Sequence, residues 1–158
     1  MLLMALTLLW GLNWPFMKTA LNEIPVWWFR TICLFVGGFS LLLIAALSRQ
    51  VVIPTKAEIK PLFFCIIFNI LGWHLFSAYG VTLLPAGRAV IIAFTMPIWA
   101  SILGSIFLNE PLTKAKIIAL VLGMSGLGVL IGPDLISVQS SPIGALCMLG
   151  AAITWACG

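Results

Sequence analysis

The stretch VWWFRTICLFVGGFSLLLIAAL at residues 26–47 decides the fold class, because it is long enough to cross a bilayer and carries a single charge, Arg30. A helix needs about 20 consecutive apolar residues to span the hydrocarbon core. The whole chain has a similar character: 63% of its 158 residues are apolar and 8% are charged. A soluble domain carries about 25% charged residues. A soluble enzyme and a nucleic-acid-binding protein are therefore excluded, and the sequence predicts an all-α polytopic membrane protein.

Six apolar runs follow one another along the chain and predict six helices, separated by polar residues, glycine or proline. The residue before a proline disfavours helical backbone, which supports a break at Asn109-Glu110-Pro111. Because the last run is still apolar at Gly158, we expect a chain that is cut within a helix. The runs extend from Leu2 to about Leu21, about Val26 to Leu47, Pro61 to Leu84, Ala86 to Leu108, about Lys114 to Ile131, and from Ile143 onward.

The positive charges of the loops set the expected orientation in the membrane. Loops rich in Lys and Arg stay on the cytoplasmic side. Such residues fall in the loops after the second and fourth runs, which lie on one side if every run spans. We therefore expect an integral protein of the plasma (inner) membrane with a cytoplasmic N-terminus, the loop Gln50–Lys60 inside and the loop Asp134–Ser141 outside. The charged residues concerned are Arg49, Lys56, Lys60, Lys114 and Lys116.

Two short segments resemble each other and indicate an internal repeat. Around Trp10 the sequence reads ALTLLWG, and around Trp155 it reads GAAITWA, so each has a tryptophan followed by a small residue. We interpret the second segment as the start of another copy. This predicts a five-helix transmembrane repeat over residues 1–134 and the first helix of a second repeat over residues 142–158. An odd number of helices inverts the second copy, and inverted repeats are typical of secondary transporters.

Motifs in a fixed order along nearly the whole chain resemble those of the EamA-type branch of the drug/metabolite transporter superfamily. The first run carries Trp10-Gly11-Leu12-Asn13 followed by Lys18, which is similar to the family's W-G-x-N…K opening. The chain thus resembles the N-terminal repeat of such a transporter, with most of the second repeat missing. The other matching segments are Pro25…Arg30, Ala78 to Pro85, Pro97…Leu108-Asn109-Glu110-Pro111-Leu112-Thr113, and Leu122-Gly123 to Gly132.

The resemblance implies ten helices in two inverted repeats around a central substrate pathway. It implies a secondary transmembrane transporter, more specifically an exporter, of small metabolites such as amino acids or drugs. The expected partners are the lipid bilayer, a small-molecule metabolite, and a second five-helix repeat or another copy of the chain. We expect no nucleic-acid partner, no cofactor and no metal. We also expect no enzyme activity, because the sequence shows no H-x-x-H, nucleophile–base pair or metal cluster.

Two other functions remain open from the sequence. One is a small multidrug-type transporter that works as a dimer of short subunits. That class has a carboxylate midway along its first helix, where this chain has Asn13, and its antiparallel dimer needs a weaker charge bias. The other is an inactive truncated membrane protein that acts only as a packing partner.

Polar and aromatic residues inside the apolar runs are the candidates for a substrate pathway, because ionisable groups in a membrane span are costly and often functional. Asn13 lies in a Gly- and Pro-interrupted segment of the kind that forms transporter sites, although a neighbouring helix would also satisfy its amide. His74 is the single histidine, and either proton coupling or a bond to a neighbouring helix would explain it. The full candidate set is Trp10, Asn13, Lys18, Arg30, Asn69, Trp73, His74, Ser77 and Arg88.

Three cations of this set, Lys18, Arg30 and Arg88, are predicted to lie toward the outer side of the membrane. One interpretation is that each side chain extends to the lipid headgroups as an anchor. The other is a cationic mouth that attracts the carboxylate or phosphate of an anionic or zwitterionic metabolite, which arginine can hold through two hydrogen bonds. Small residues at Cys33 and Gly37 on the helix face of Arg30 favour the second, because such a face packs against protein.

Prolines and glycines inside the runs are candidates for hinges or for close helix packing. Pro97 lies in the middle of the fourth run, where it frees a backbone carbonyl and kinks the helix, as a hinge or as a static bend. Glycines let two helices approach closely in lipid. The residues predicted for these roles are Pro15, Pro97, Gly104 and Gly123.

Overall fold

A computed structural model describes residues 2–50, 53–131 and 141–158 of the chain. The described residues form helices joined by short connections and contain no strand, which confirms the all-α prediction. By length and composition, three of the described helices are apolar enough to cross a membrane, Val26–Leu47, Lys56–Leu83 and Ala86–Phe107, and Pro142–Cys157 is a shorter apolar helix. The helices are α1 (Leu2–Glu23), α2 (Val26–Leu47), α3 (Lys56–Leu83), α4 (Ala86–Phe107), α5 (Lys114–Ile131) and α6 (Pro142–Cys157).

A following proline or a left-handed residue explains where two of the helices end. The backbone of Leu84 is extended, with φ −117° and ψ 154°, because Pro85 follows it. After α2, Arg49 has φ 53°, its N–H donates to the carbonyl of Ala46, and the N–H of Gln50 donates to that of Ala45. This is a Schellman motif, which satisfies the carbonyls that the end of a helix leaves free.

The connection between α4 and α5 is held by an ion pair. Asn109 has φ 53°, a left-handed conformation that asparagine tolerates better than most residues. It directs the Glu110 N–H to the carbonyl of Gly104, 3.1 Å away. The Glu110 carboxylate accepts a 2.8 Å hydrogen bond from Lys116 Nζ, which lowers the pKa of that carboxyl. The segment Asn109-Glu110-Pro111 is therefore an ordered turn.

Helix α3 begins earlier than the sequence pattern predicted. The segment Gln50–Lys60 was expected to be a loop, but its last five residues belong to α3. The reason is a capping box, in which the carboxylate of Glu58 accepts a 2.7 Å hydrogen bond from the backbone N–H of Thr55. The same helix contains a π-helical stretch at Ile66–Gly72, a form that occurs mostly in short pieces and often beside functional sites.

Helix α4 is interrupted at Phe94 and Thr95, just before Pro97. Pro97 has no backbone N–H to give to the preceding turn, and its ring disfavours regular helix there. The Thr95 hydroxyl donates to the carbonyl of Ile92 at 2.7 Å and accepts from Trp99 Nε1 at 3.2 Å. The Thr95 side chain thus gives a hydrogen bond to one carbonyl at the interruption, that of Ile92. Whether the interruption acts as a hinge remains a prediction.

The core lies where α6 packs against α3 and α4, and α1 also contacts both α3 and α4. Helices α2 and α5 are peripheral, and α2 buries no residue fully. Glycine permits the closest approach: a Cβ atom at Gly80 would overlap Sδ and Cγ of Met148, and one at Gly150 would lie 3.3 Å from the Phe76 ring. The buried apolar residues of this core are Trp14, Met17, Leu21, Val81, Leu84, Ala89, Ala93 and Met148.

Candidate functional site

A cavity of about 370 Å³ opens between α1, α2 and α3, and we call it the Arg30 cavity. Its volume falls in the range of small-molecule sites, which are mostly apolar with a few converging polar groups. Four aromatic side chains form much of its wall: Trp10, Trp14, Phe29 and Trp73. The polar side chains that line it are Asn13, Arg30, His74 and Ser77.

Arg30 ties the three helices around this cavity together. Its Nη2 atom lies 2.8 Å from Oγ of Ser77 on α3, to which it donates a hydrogen bond, and 3.2 Å from Sδ of Met17 on α1. The guanidinium carbon also lies 5.7 Å from the centre of the Phe29 ring, within the range of a cation–π contact. Since Ser77 is 1% exposed, the guanidinium is anchored inside the bundle.

The aromatic wall has a fixed geometry. The rings of Trp14 and Trp73 meet edge to face, with their centres 6.3 Å apart and an interplanar angle of 83°. Trp14 is 4% exposed, so its ring is part of both the core and the cavity wall. Such edge-to-face pairs are more favourable than a face-to-face sandwich because ring edges are positive and ring faces negative.

His74 is half-buried and lies between two cavities. It lines the Arg30 cavity and also a second one of about 360 Å³, whose wall includes Arg30, Trp27 and Leu71. Its Nδ1 atom is buried and has no hydrogen-bond partner among the described residues. Arg30 and His74 therefore form part of the partition between the two cavities.

The structure brings six of the predicted pathway residues together on one cavity. On α1 and α3 they follow helical spacing, which places residues three or four apart on one face. The six are Trp10, Asn13, Arg30, Trp73, His74 and Ser77.

Lys18, Asn69 and Arg88 do not line the Arg30 cavity. Lys18 Nζ instead donates to the carbonyls of Val81 and Thr82, each at 2.8 Å. Those carbonyls belong to the last turn of α3, where a cation complements the negative end of the helix dipole. Asn69 lies in the π-helical stretch beside Gly158, and Arg88 is half-buried near the start of α4. The three cations of the expected mouth thus do not surround this cavity.

Several lining residues are absent from the predicted set: Trp14, Met17, Phe29 and Cys33. None of the four has a strongly polar side chain, which was the main feature that identified the predicted residues. The helical spacing from Trp10 would have found two of them, since Trp14 and Met17 follow four and seven positions later on the same face.

The residues predicted for hinges and packing occupy different surroundings. Helix α1 runs through Pro15 without a break, and Pro97 follows the interruption of α4. Gly104 is buried, and a Cβ atom there would lie 3.5 Å from the Glu110 carboxylate. A Cβ atom at Gly123 would meet no atom within 4 Å among the residues that the structure describes.

Within the described ranges, no three His, Cys, Asp or Glu side chains come together as ligands of a metal ion. The Arg30 cavity combines hydrogen-bonding side chains with aromatic rings, a combination that can hold and orient a small molecule.

Known proteins that resemble the chain include several described as transporters or as an efflux pump. The chain is similar to two Bacillus subtilis proteins, the uncharacterized transporters YoaV and YvbV. YoaV is 30% identical over 97% of the chain and 53% of its own length. YvbV is 34% identical over 100% of the chain and 51% of its own length. A Salmonella typhimurium protein described as a probable amino-acid metabolite efflux pump is 25% identical over 99% of the chain and 50% of its own length.

The chain spans about half the length of these curated relatives. No solved structure matches it. The family model described as the EamA-like transporter family matches residues 1–132. That match covers all of the helices α1 to α5, including those that build the Arg30 cavity. The chain is therefore an integral membrane protein that belongs to the EamA-like transporter family.

Proposed function

We propose that the chain forms the substrate-binding part of a secondary transporter that exports small metabolites, and that the Arg30 cavity is part of its pathway. The observation that carries this proposal is the convergence of Asn13, Arg30, His74 and Ser77 from three helices on one cavity with aromatic walls. Polar groups at such depth in a membrane protein usually mark a substrate or ion pathway. The similarity to the Salmonella typhimurium protein described as a probable efflux pump favours export.

The proposed arrangement has a five-helix repeat at residues 1–134 and the first helix of an inverted second repeat at residues 142–158. Two facts support it: the similarity around Trp10 and Trp155, and relatives about twice as long as the chain. Helix α6 packs on α3 and α4, as an element at the junction of two repeats would. The missing partner is then a second five-helix repeat or another copy of the chain. A dimeric transporter of the small multidrug type remains the alternative.

The test of function is to block the Arg30 cavity in the longest natural product that contains this chain. Cys33 lies on the cavity wall, whereas Phe35 is 76% exposed and does not line it. We expect Cys33→Trp to fill the cavity and to reduce efflux about tenfold or more in a metabolite-efflux screen. The matched Phe35→Trp variant is expected to export at the parental rate. Equal efflux by both variants at equal expression would exclude the cavity as a pathway.

A second prediction concerns orientation: the N-terminus is cytoplasmic, the loop Gln50–Lys60 lies inside and the loop Asp134–Ser141 lies outside. The loop after α5 falls outside the described residues, so this rests on the asymmetry of Lys and Arg. In a variant whose four native cysteines are replaced, Ser137→Cys is expected to react with an impermeant maleimide in intact cells. Thr55→Cys, on the inner loop, should react only after permeabilisation. The reverse pattern would overturn the orientation.

A further inference from the structure

The last turn of α3 lacks two of the donors that a continuing helix would supply. A helical carbonyl accepts a hydrogen bond from the N–H four positions later. For the carbonyl of Val81 that position is Pro85, which has no N–H. Because Leu84 is extended, Ala86 is not in position to donate to the carbonyl of Thr82 either. Two carbonyls at the end of α3 therefore need a donor from outside the helix.

Lys18 of α1 is that donor. Its Nζ atom donates to the carbonyls of Val81 and Thr82, at 2.8 Å each. Lys18 is half-buried, and Val81 is buried completely. If α1 and α3 separate in apolar surroundings, the ammonium and both carbonyls lose these bonds, and buried polar groups without partners are costly. The lysine therefore ties α1 to the end of α3.

The Arg30 cavity is closed at the end of the bundle where α1 and α3 both terminate, which we call the Lys18 end. Helices α1 and α3 pack together there through the buried core residues Leu21, Val81 and Leu84. Toward the opposite end, Leu6 and Leu9 also line the cavity, yet they are 55% and 70% exposed. Among the described residues, the cavity is therefore closed at one end and open at the other.

We propose that Lys18 is a positioning residue for transport, and that its bonds to Val81 and Thr82 hold the Arg30 cavity closed at the Lys18 end. A transporter opens its central site to the two sides of the membrane in turn. Opening at the Lys18 end requires the ammonium to leave both carbonyls, so these bonds set the fraction of molecules that are closed there. The inference rests on the proposed function, because it gives a role in transport to a bond that otherwise only caps a helix.

The chemistry of lysine suits a closure that has to open. Its ammonium is a compact, strongly hydrated charge on a flexible chain of four carbons, so it can move away from the carbonyls without a large backbone movement. Once water enters the Lys18 end, the ammonium and the two carbonyls exchange their mutual bonds for bonds to water, and the net cost of opening becomes small. Both the closed and the open arrangement then satisfy the same polar groups.

Cys33 on the cavity wall reports the closure. The test uses the longest natural product that contains this chain, with its other cysteines replaced by alanine. It measures how fast an impermeant methanethiosulfonate modifies Cys33 in intact cells and, separately, in inside-out vesicles. Labelling of Ser137→Cys identifies the side of the Lys18 end, because α1, α3 and α5 end on one side if every helix spans. In the parental protein we expect modification from that side to be about tenfold or more slower than from the other.

Variants of Lys18 separate closure from general stability. Lys18→Met removes both bonds but keeps a long side chain, so we expect modification of Cys33 to become about tenfold or more faster from the side of the Lys18 end and unchanged from the other side. We also expect lower efflux at equal expression. Lys18→Arg keeps the charge and the donors, and should preserve the parental rates and efflux. Lys60→Met, at an exposed lysine of α3, is the matched control and should change neither.

Unchanged modification of Cys33 in Lys18→Met, or equal rates from both sides in the parental protein, would overturn the closure. An equal increase from both sides would also overturn it, since the fold as a whole would then have loosened. Parental efflux in Lys18→Met would overturn the role in transport. If that variant does not fold, the comparison of the two sides in the parental protein still decides.

Failure of the proposed function gives a different pattern. Cys33→Trp would then export at the parental rate, whereas modification of Cys33 would still depend on Lys18 and on the side of the membrane. Failure of the closure alone leaves Cys33→Trp inactive in export and removes the dependence on Lys18. The two failures are therefore distinguishable.

Discussion

Replacing Gly80 with leucine is expected to lower the free energy of unfolding by about 2 kcal/mol or more, because extra methylenes in a packed core force side chains and backbone apart. A Cβ atom at Gly80 would overlap Sδ and Cγ of Met148 and lie 3.2 Å from its backbone nitrogen. Met148 is 0% exposed, so its side chain has little space to withdraw. The measurement is size-exclusion chromatography after heating in detergent. We expect the variant to lose its monodisperse peak at a lower temperature than the parental protein.

Gly123→Leu is the matched control for this substitution. Both changes replace a helical glycine with a good helix former, which by itself stabilises a helix by about 1 kcal/mol or less. A Cβ atom at Gly123 meets no described atom within 4 Å, so we expect unchanged or slightly higher stability. Equal losses for Gly80→Leu and Gly123→Leu would contradict the close approach of α3 and α6.

A double substitution locates the effect in one contact. Gly80→Ala alone should lower the free energy of unfolding, because the methyl group of the new alanine would meet Sδ and Cγ of Met148. Met148→Ala removes these two atoms. The double variant is therefore expected to be more stable than the sum of the two single effects predicts, since neighbouring residues are not additive. Simple additivity would mean that the side chain of Met148 is not what limits the space at Gly80.

Much of this fold follows from patterns that a sequence displays directly. Long apolar runs, and prolines at Pro25, Pro85 and Pro111, predict the helices and most of their ends. The start of α3 was predicted five residues late because apolar composition was given more weight than Thr55 and Glu58, whose capping box was present in the sequence. A capping box can be recognised from the sequence alone, because it involves residues three positions apart.

The π-helical stretch of α3 could not be predicted in the same way. Its residues, Ile66–Gly72, are as apolar as those of the ordinary helix beside them. They face α6, where Thr154 would lie 2.8 Å from a Cβ atom at Gly72. Which two helices meet, and at what height, depends on the tertiary fold, and a single sequence carries little information about it.

The sequence predicted which polar residues lie at the candidate site better than it predicted which groups each residue contacts. Arg30, His74 and Ser77 were identified because polar groups are rare in apolar runs, and the structure places all three on one cavity. Lys18 was identified by the same rule but is bonded to backbone carbonyls of α3. Every helix end presents such carbonyls, so no side chain in the sequence marks that partner.

Substitution of Arg30 is expected to have the largest effect on transport. Arg30→Met removes both the bond to Ser77 and the charge on the cavity wall, and we expect at least about a tenfold loss of efflux at equal expression. Arg30→Lys keeps the charge but replaces a rigid, planar group of donors with a single ammonium. Arg30→Lys should therefore retain only part of the efflux. Lys60→Met, at an exposed residue in the first turns of α3, is the control for loss of a positive charge and should leave efflux unchanged.

Ser77→Ala shows whether the guanidinium must be held in place for transport. The change deletes the acceptor of the 2.8 Å hydrogen bond but leaves the charge of Arg30 in the cavity. We expect a smaller loss of efflux than in Arg30→Met, and no further loss when the two changes are combined, because both remove the same interaction. Efflux is measured in cells that express each variant at the same level. Parental efflux in Arg30→Met would show that Arg30 serves only to join α1, α2 and α3, and additive losses would show that Ser77 acts on transport independently of Arg30.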